Sequence, residues 1–94
     1  MTASKEYLIE AGKSQKNVKT NPNPSATSIN IENLSKTDDG RIRIVSTPTG
    51  GNGVVLFDED FIDPLSKTVI RKKYNGNPIE IVNLGTTVLK ILIE

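Results

Sequence analysis

Residues 29–46 read Ile29-Asn30-Ile31-Glu32-Asn33-Leu34-Ser35-Lys36-Thr37-Asp38-Asp39-Gly40-Arg41-Ile42-Arg43-Ile44-Val45-Ser46. Apolar and polar residues alternate strictly at 29–32 and again at 41–45. That period places isoleucines on one face of a half-buried strand and polar groups on the other. Asp38-Asp39-Gly40 supplies turn chemistry, with Gly40 free to take a positive φ. The reading is a hairpin of residues 29–34 and 41–46, with Arg41 and Arg43 on its outer face.

Downstream the pattern continues. Residues 47–53, TPTGGNG, read as a flexible loop, and Val54-Val55-Leu56-Phe57 as a strand covered on both faces. Residues 58–66 read as an acidic turn and Lys67–Tyr74 as a basic strand. Asn75-Gly76 predicts a tight hairpin leading into Ile79-Glu80-Ile81-Val82. Asn83-Leu84-Gly85 turns the chain into a final strand, Thr86 to Ile93. About six strands without a helical period predict an all-β fold, a small antiparallel sandwich or barrel. No repeat of fixed period is evident.

Upstream the character differs. Residues 12–28, GKSQKNVKTNPNPSATS, hold only Val18 and Ala26 as apolar residues, and Pro22 and Pro24 block a helix. Such a segment cannot offset its own ordering entropy. Residues 1–28 are therefore expected to be an extended N-terminal arm that orders against a neighbour, with Tyr7, Leu8 and Ile9 as its anchor. Residues 29–94 are expected to form the β domain.

A domain of that size has a small core. The chain of 94 residues contains neither cysteine nor histidine. Disulfides and the commonest transition-metal ligands are thus excluded, which leaves oligomerisation or docking as the remaining support. In the terminal strand Leu89, Ile91 and Ile93 share one face, while Val88, Lys90 and Leu92 share the other. The second face is more apolar than solvent requires. It reads as either an interior strand or a subunit contact, with Val88 and Leu92 as contact residues. At an exposed edge such a strand would need another chain to pair with it, since only Glu94 follows it.

The motifs that carry chemistry are weak. Ala11-Gly12-Lys13-Ser14 resembles the end of a phosphate-binding loop, but Tyr7 stands where that motif needs its first glycine. Asp58, Glu59, Asp60 and Asp63 lack the spacing of a calcium loop. Residues 58–63 carry −4 and residues 67–73 carry +4, so mutual pairing accounts for both segments without a ligand. Lys13, Lys16 and Lys19 recur every third residue and would share one edge of an extended polyproline-II arm, suited to an acidic groove or a phosphate backbone. Scarce aromatics argue against single-stranded nucleic acid, and a net charge of +1 gives no global pull toward nucleic acid or lipid. No nucleophile–base pair is visible, so an enzyme is not expected. Nor is any cofactor or metal. Tyr7-Leu8-Ile9 is too short for a signal peptide, and no stretch is long enough for a membrane helix; no membrane partner is expected.

Residues 77–91, Asn-Pro-Ile-Glu-Ile-Val-Asn-Leu-Gly-Thr-Thr-Val-Leu-Lys-Ile, resemble a strand–Asn-x-Gly–strand element. Such elements recur in small β-structured virion proteins of tailed bacteriophages, of the capsid-decoration and tail or fibre kinds. The resemblance implies a non-enzymatic structural protein that packs in many copies. It assigns no functional residues. The expected partners are other protein subunits, as a homo-oligomer or within a larger particle. The expected location is a virion if the protein is viral and the cytoplasm otherwise. The alternatives are a module that binds carbohydrate or peptide through the 47–53 loop, and a protein that contacts nucleic acid through its lysines.

Overall fold

The computed structural model describes residues 5–22, 24–46 and 56–94. The chain is all-β, with eight strands: β1 Lys5–Ile9, β2 Ser14–Val18, β3 Thr27–Asn33, β4 Gly40–Ser46, β5 Leu56–Ile62, β6 Lys67–Lys72, β7 Ile79–Asn83 and β8 Leu89–Ile93. They form two four-stranded antiparallel sheets, ordered β1-β8-β3-β6 and β2-β7-β4-β5. This is the jelly-roll arrangement.

The registers explain the topology. Lys5 pairs with Ile93, Ser14 with Val82, Thr27 with Lys72 and Gly40 with Ile62. The chain is one long antiparallel ribbon folded back on itself. Two further ladders, β3–β8 and β4–β7, roll that ribbon into a sandwich. Alternation supplies the core. Ile29, Ile31, Leu89 and Ile91 face inward from one sheet and Ile42, Ile44, Ile79 and Ile81 from the other, all essentially buried. Each large side chain buried in this way contributes roughly 1.5–3 kcal/mol.

Several sequence expectations are corrected. Residues 29–34 and 41–46 are strands, but they lie in different sheets and do not form a hairpin. The segment between them is a corner that carries the chain across the sandwich. Gly40 opens β4 and is not among the positive-φ glycines. Its lack of a side chain serves close packing instead, since a Cβ there would lie 2.7 Å from Leu89 Cδ2. Asn75 and Gly76 do form the expected tight turn, with φ of 56° and 76° and a hydrogen bond from Asn77 N–H to the Tyr74 carbonyl. That turn too joins β6 of one sheet to β7 of the other. The acidic segment 58–62 belongs to strand β5. The 47–53 loop and the start of the expected 54–57 strand lie outside the described residues.

The extended arm is also replaced. Residues 5–9 and 14–18 are strands β1 and β2, with Ile9 and Val18 buried in the core. Both are edge strands, so few of their side chains need to be apolar. β2 directs only Val18 fully inward and is interrupted by a register shift between Gln15 and Val18, with Asn17 at φ 57°. Such a bulge discourages further strand pairing at that edge.

Two halves of the chain repeat one plan. Ile29-Asn-Ile-Glu-Asn-Leu34 and Ile79-Glu-Ile-Val-Asn-Leu84 both end a central strand at a buried asparagine. Asn33 Nδ2 donates to the carbonyls of Asp38 and Ile62, and Asn83 Nδ2 donates to those of Thr87 and Ile9. Their Oδ1 atoms accept from the N–H groups of Ser35 and Gly85 respectively. Thr87 Oγ1 donates to Asn33 Oδ1 at 3.0 Å and ties the two corners together. The turns after β1 and β5 match as well: Lys13 N–H bonds the Glu10 carbonyl, and Ser66 N–H bonds the Asp63 carbonyl. Strands β1–β4 therefore correspond to β5–β8, and one sheet corresponds to the other.

Candidate functional site

The outer faces of the two sheets carry what the core does not use. On the β1-β8-β3-β6 sheet the cross-strand rows are set by register. Leu8, Lys90, Glu32 and Lys67 form one row, and Glu6, Leu92, Asn30 and Val69 form the next. Just beyond the ladder ends, Val88 and Leu34 continue the same outward alternation, while Leu65 sits in the turn before β6 with its N–H bonded to the Ser35 carbonyl. Leu8 (65% exposed), Leu65 (63%), Val69 (57%), Leu34 (44%) and Val88 (39%) are five of the six large exposed apolar residues among those described. Leu8, Leu34, Val69 and Val88 lie on this face, and Leu65 lies in the turn that leads into β6. Leu92 is half-buried between them.

Charges lace the same face. Lys90 Nζ reaches Glu6 Oε1 at 3.2 Å. Glu32, between Lys90 and Lys67, has no ion-pair partner within 4 Å among the described residues. Asn30 Nδ2 donates to the Leu92 carbonyl at 3.2 Å. A shallow groove of about 220 Å³ runs over Asn30, Glu32, Lys67, Val69, Lys90 and Leu92. Small-molecule sites commonly enclose roughly 300–1,000 Å³, so the groove suits the side chains of a partner better than an engulfed ligand.

The opposite face carries its own charge pairs. Glu59 accepts from Arg43 Nε at 2.8 Å and lies 3.6 Å from Arg41. The Arg43 hydrogen bond, with help from Arg41, holds the Glu59 carboxyl below its ordinary range despite some desolvation. Phe61, the sixth exposed apolar residue, stays 67% exposed with the Arg41 guanidinium 5.4 Å from its ring centre. Of the charge pairing expected between 58–63 and 67–73, one ion pair forms, Lys72 to Asp58 at 2.8 Å. It joins edge strand β6 to edge strand β5 across the side of the sandwich. The Glu59 pairs go to β4 instead.

Near that pair, Tyr74 is buried with its hydroxyl unpartnered. Burial, and then the negative Asp58, push the hydroxyl up to about 12.

The residues singled out from sequence scatter. Tyr7 and Ile9 pack into the chain's own core, and of that trio only Leu8 points outward. Lys13 sits in the turn after β1, Lys16 in β2 and Lys19 beyond it, all exposed. The β2 bulge breaks the three-residue period that would align them. Val88 and Leu92 do lie on the face described above. Leu34, Leu65 and Val69 were missed. The signal for Val69 was present in the alternation of Lys67-Thr68-Val69-Ile70-Arg71. Leu65 required knowledge of the turn it occupies. Among the described residues no cluster of acidic side chains could hold a metal ion, and no helix is long and apolar enough to cross a membrane.

The class defined so far is a small jelly-roll domain with one apolar outer face. Residues 7–94 match DUF8244, a family of unknown function, and the chain belongs to that family. No curated protein matches it. In structure it is similar to PirA, with a TM-score of 0.61 and 15% identity over 99% of this chain and 93% of that one. It is also similar to peruvianin-I, a cysteine peptidase from Thevetia peruviana latex, with a TM-score of 0.50 and 20% identity. That match covers 96% of this chain and 47% of the peptidase. At these identities the likeness concerns the fold alone.

Proposed function

We propose that this protein is a non-enzymatic structural module that joins a larger protein assembly through the outer face of its β1-β8-β3-β6 sheet. One observation carries the reading: four of the six large exposed apolar residues described gather on that face, Leu8, Leu34, Val69 and Val88. Contiguous exposed apolar patches mark interaction sites, whereas scattered residues do not. The narrower reading is a virion component of the capsid-decoration or tail kind. The resemblance of residues 77–91 supports it, as does the use of jelly rolls in viral capsids, a fold-level analogy.

The double variant Leu8→Asp, Val69→Asp tests this. It places charge at two exposed positions outside the core, so the thermal melt should match that of the wild-type chain. The mass of the native assembly, measured by sedimentation, should fall to that of the free chain. A variant that still co-sediments with the assembly as wild type does would overturn the reading.

A further inference from the structure

We infer that the occupant of this face is a second copy of the same chain, related by a two-fold axis running along the strands between β8 and β3. The inference rests on the docking reading above and names its partner. A two-fold interface must be self-complementary, because each patch meets its own image. The central positions of the rows come nearest to that condition, whereas the same rotation sets Leu8 against Lys67, whose aliphatic stem covers it, and Val69 against Glu6. Rotation about the stated axis keeps each row at its own height and exchanges β8 with β3. Lys90 then lies opposite Glu32 of the second copy, and Glu32 opposite Lys90, since the two are cross-strand neighbours in one chain. Val88 meets Leu34, apolar on apolar. Leu92 meets Asn30, whose amide is already engaged by the Leu92 carbonyl of its own chain. Glu32, which has no ion-pair partner within its own described chain, gains one in the pair.

The sign pattern gives the choice of partner its content. A row carrying both members of a charge pair, one on each side of the axis, matches itself without any foreign surface. The size of the face sets the strength. Four strands about 4.8 Å apart and some 20 Å long offer roughly 400 Å² a side, below the roughly 800 Å² a side of a standard interface. The pairing is therefore weak for isolated chains and gains from repetition in a multi-copy assembly.

The test is a charge exchange in the full-length chain, read by sedimentation equilibrium from about 10 μM to about 1 mM, the range an interface of this size calls for. Wild type is expected to form dimers. Glu32→Lys places lysines against lysines, and Lys90→Glu places glutamates against glutamates. Each should weaken dimerisation about tenfold or more, because like-charge juxtaposition is costly. An equimolar mixture of the two variants restores opposite charges on both sides of the axis and should return affinity to within about threefold of wild type. Lys90→Glu also loses the exposed Glu6 pair, which is worth little to folding. Melting curves check that both variants remain folded. A wild type that stays monomeric at the highest concentration overturns the inference, and so does a mixture that fails to recover. If that happens while the Leu8→Asp, Val69→Asp variant still loses the larger assembly, self-pairing alone falls and the docking reading stands.

Discussion

The two sheets occupy corresponding places in one repeated plan, yet their outer faces differ. Both turn isoleucines inward and both end a central strand at a buried asparagine. Outside, β4 and β5 carry Arg41, Arg43, Glu59 and a single exposed apolar residue among those described, Phe61, beside Arg41. The other sheet carries Leu8, Val69 and Leu92 around a sparse set of charges. Since one plan tolerates a mainly charged face on one side, folding does not demand the apolar face on the other. What the fold does not require is where selection for a partner is to be sought.

The largest expected effect tests the sameness of the interior. Ile31→Ala in one sheet and Ile81→Ala in the other each remove a fully buried side chain. Both should cost about 2–5 kcal/mol, and by similar amounts, in chemical denaturation. A cost confined to one sheet would break the correspondence. A smaller effect comes from the junction where the chain leaves one sheet for the other. Tyr74→Phe removes a buried, unpartnered hydroxyl and should raise stability by about 1 kcal/mol. It should also change the alkaline limb. The folded hydroxyl titrates at about 12 against 10.0 for the free group. Stability from keeping it neutral is complete below 10 and is lost as pH rises toward 12. Denaturation midpoints across that window should fall for wild type and flatten for Tyr74→Phe, Tyr7 being common to both.

The smallest effect separates stability from docking on the apolar face. Leu65 holds φ 55°, a conformation unfavourable for leucine, where the matching turn in the other half uses Gly12 at φ 75°. Leu65→Gly should stabilise the chain by about 0.5–1 kcal/mol, yet weaken its association. Equal stability together with unchanged sedimentation would show that Leu65 serves neither purpose.

Alternation at 29–32, 41–45 and 79–82 was enough to read an all-β chain, because each strand is covered on one side. Sheet membership was not legible. Asp38-Asp39-Gly40 and Asn75-Gly76 are turn chemistry, but a corner that crosses a sandwich uses the same residues as a hairpin. In sequence β2 resembles an arm, and β1 a short strand or an anchor, because edge strands need few apolar residues. Val88 and Leu92 were legible from the alternation of β8. Their neighbour Leu34 comes from another part of the chain and meets them only through register. The repeat at 29–34 and 79–84 escaped notice because two short copies in different sheets set no period.

The ribbon has one more implication. Every ladder described joins a strand before residue 47 to a strand after residue 55. Among the described residues neither half holds a ladder of its own. A ribosome that has released only β1–β4 has made four strands that must wait for their partners, and the earliest strand waits for the last. The same logic makes the protein a natural pair of complementing fragments. Separated within residues 47–55, each piece is expected to be unstructured alone, and mixing the two supplies the other half of every sheet.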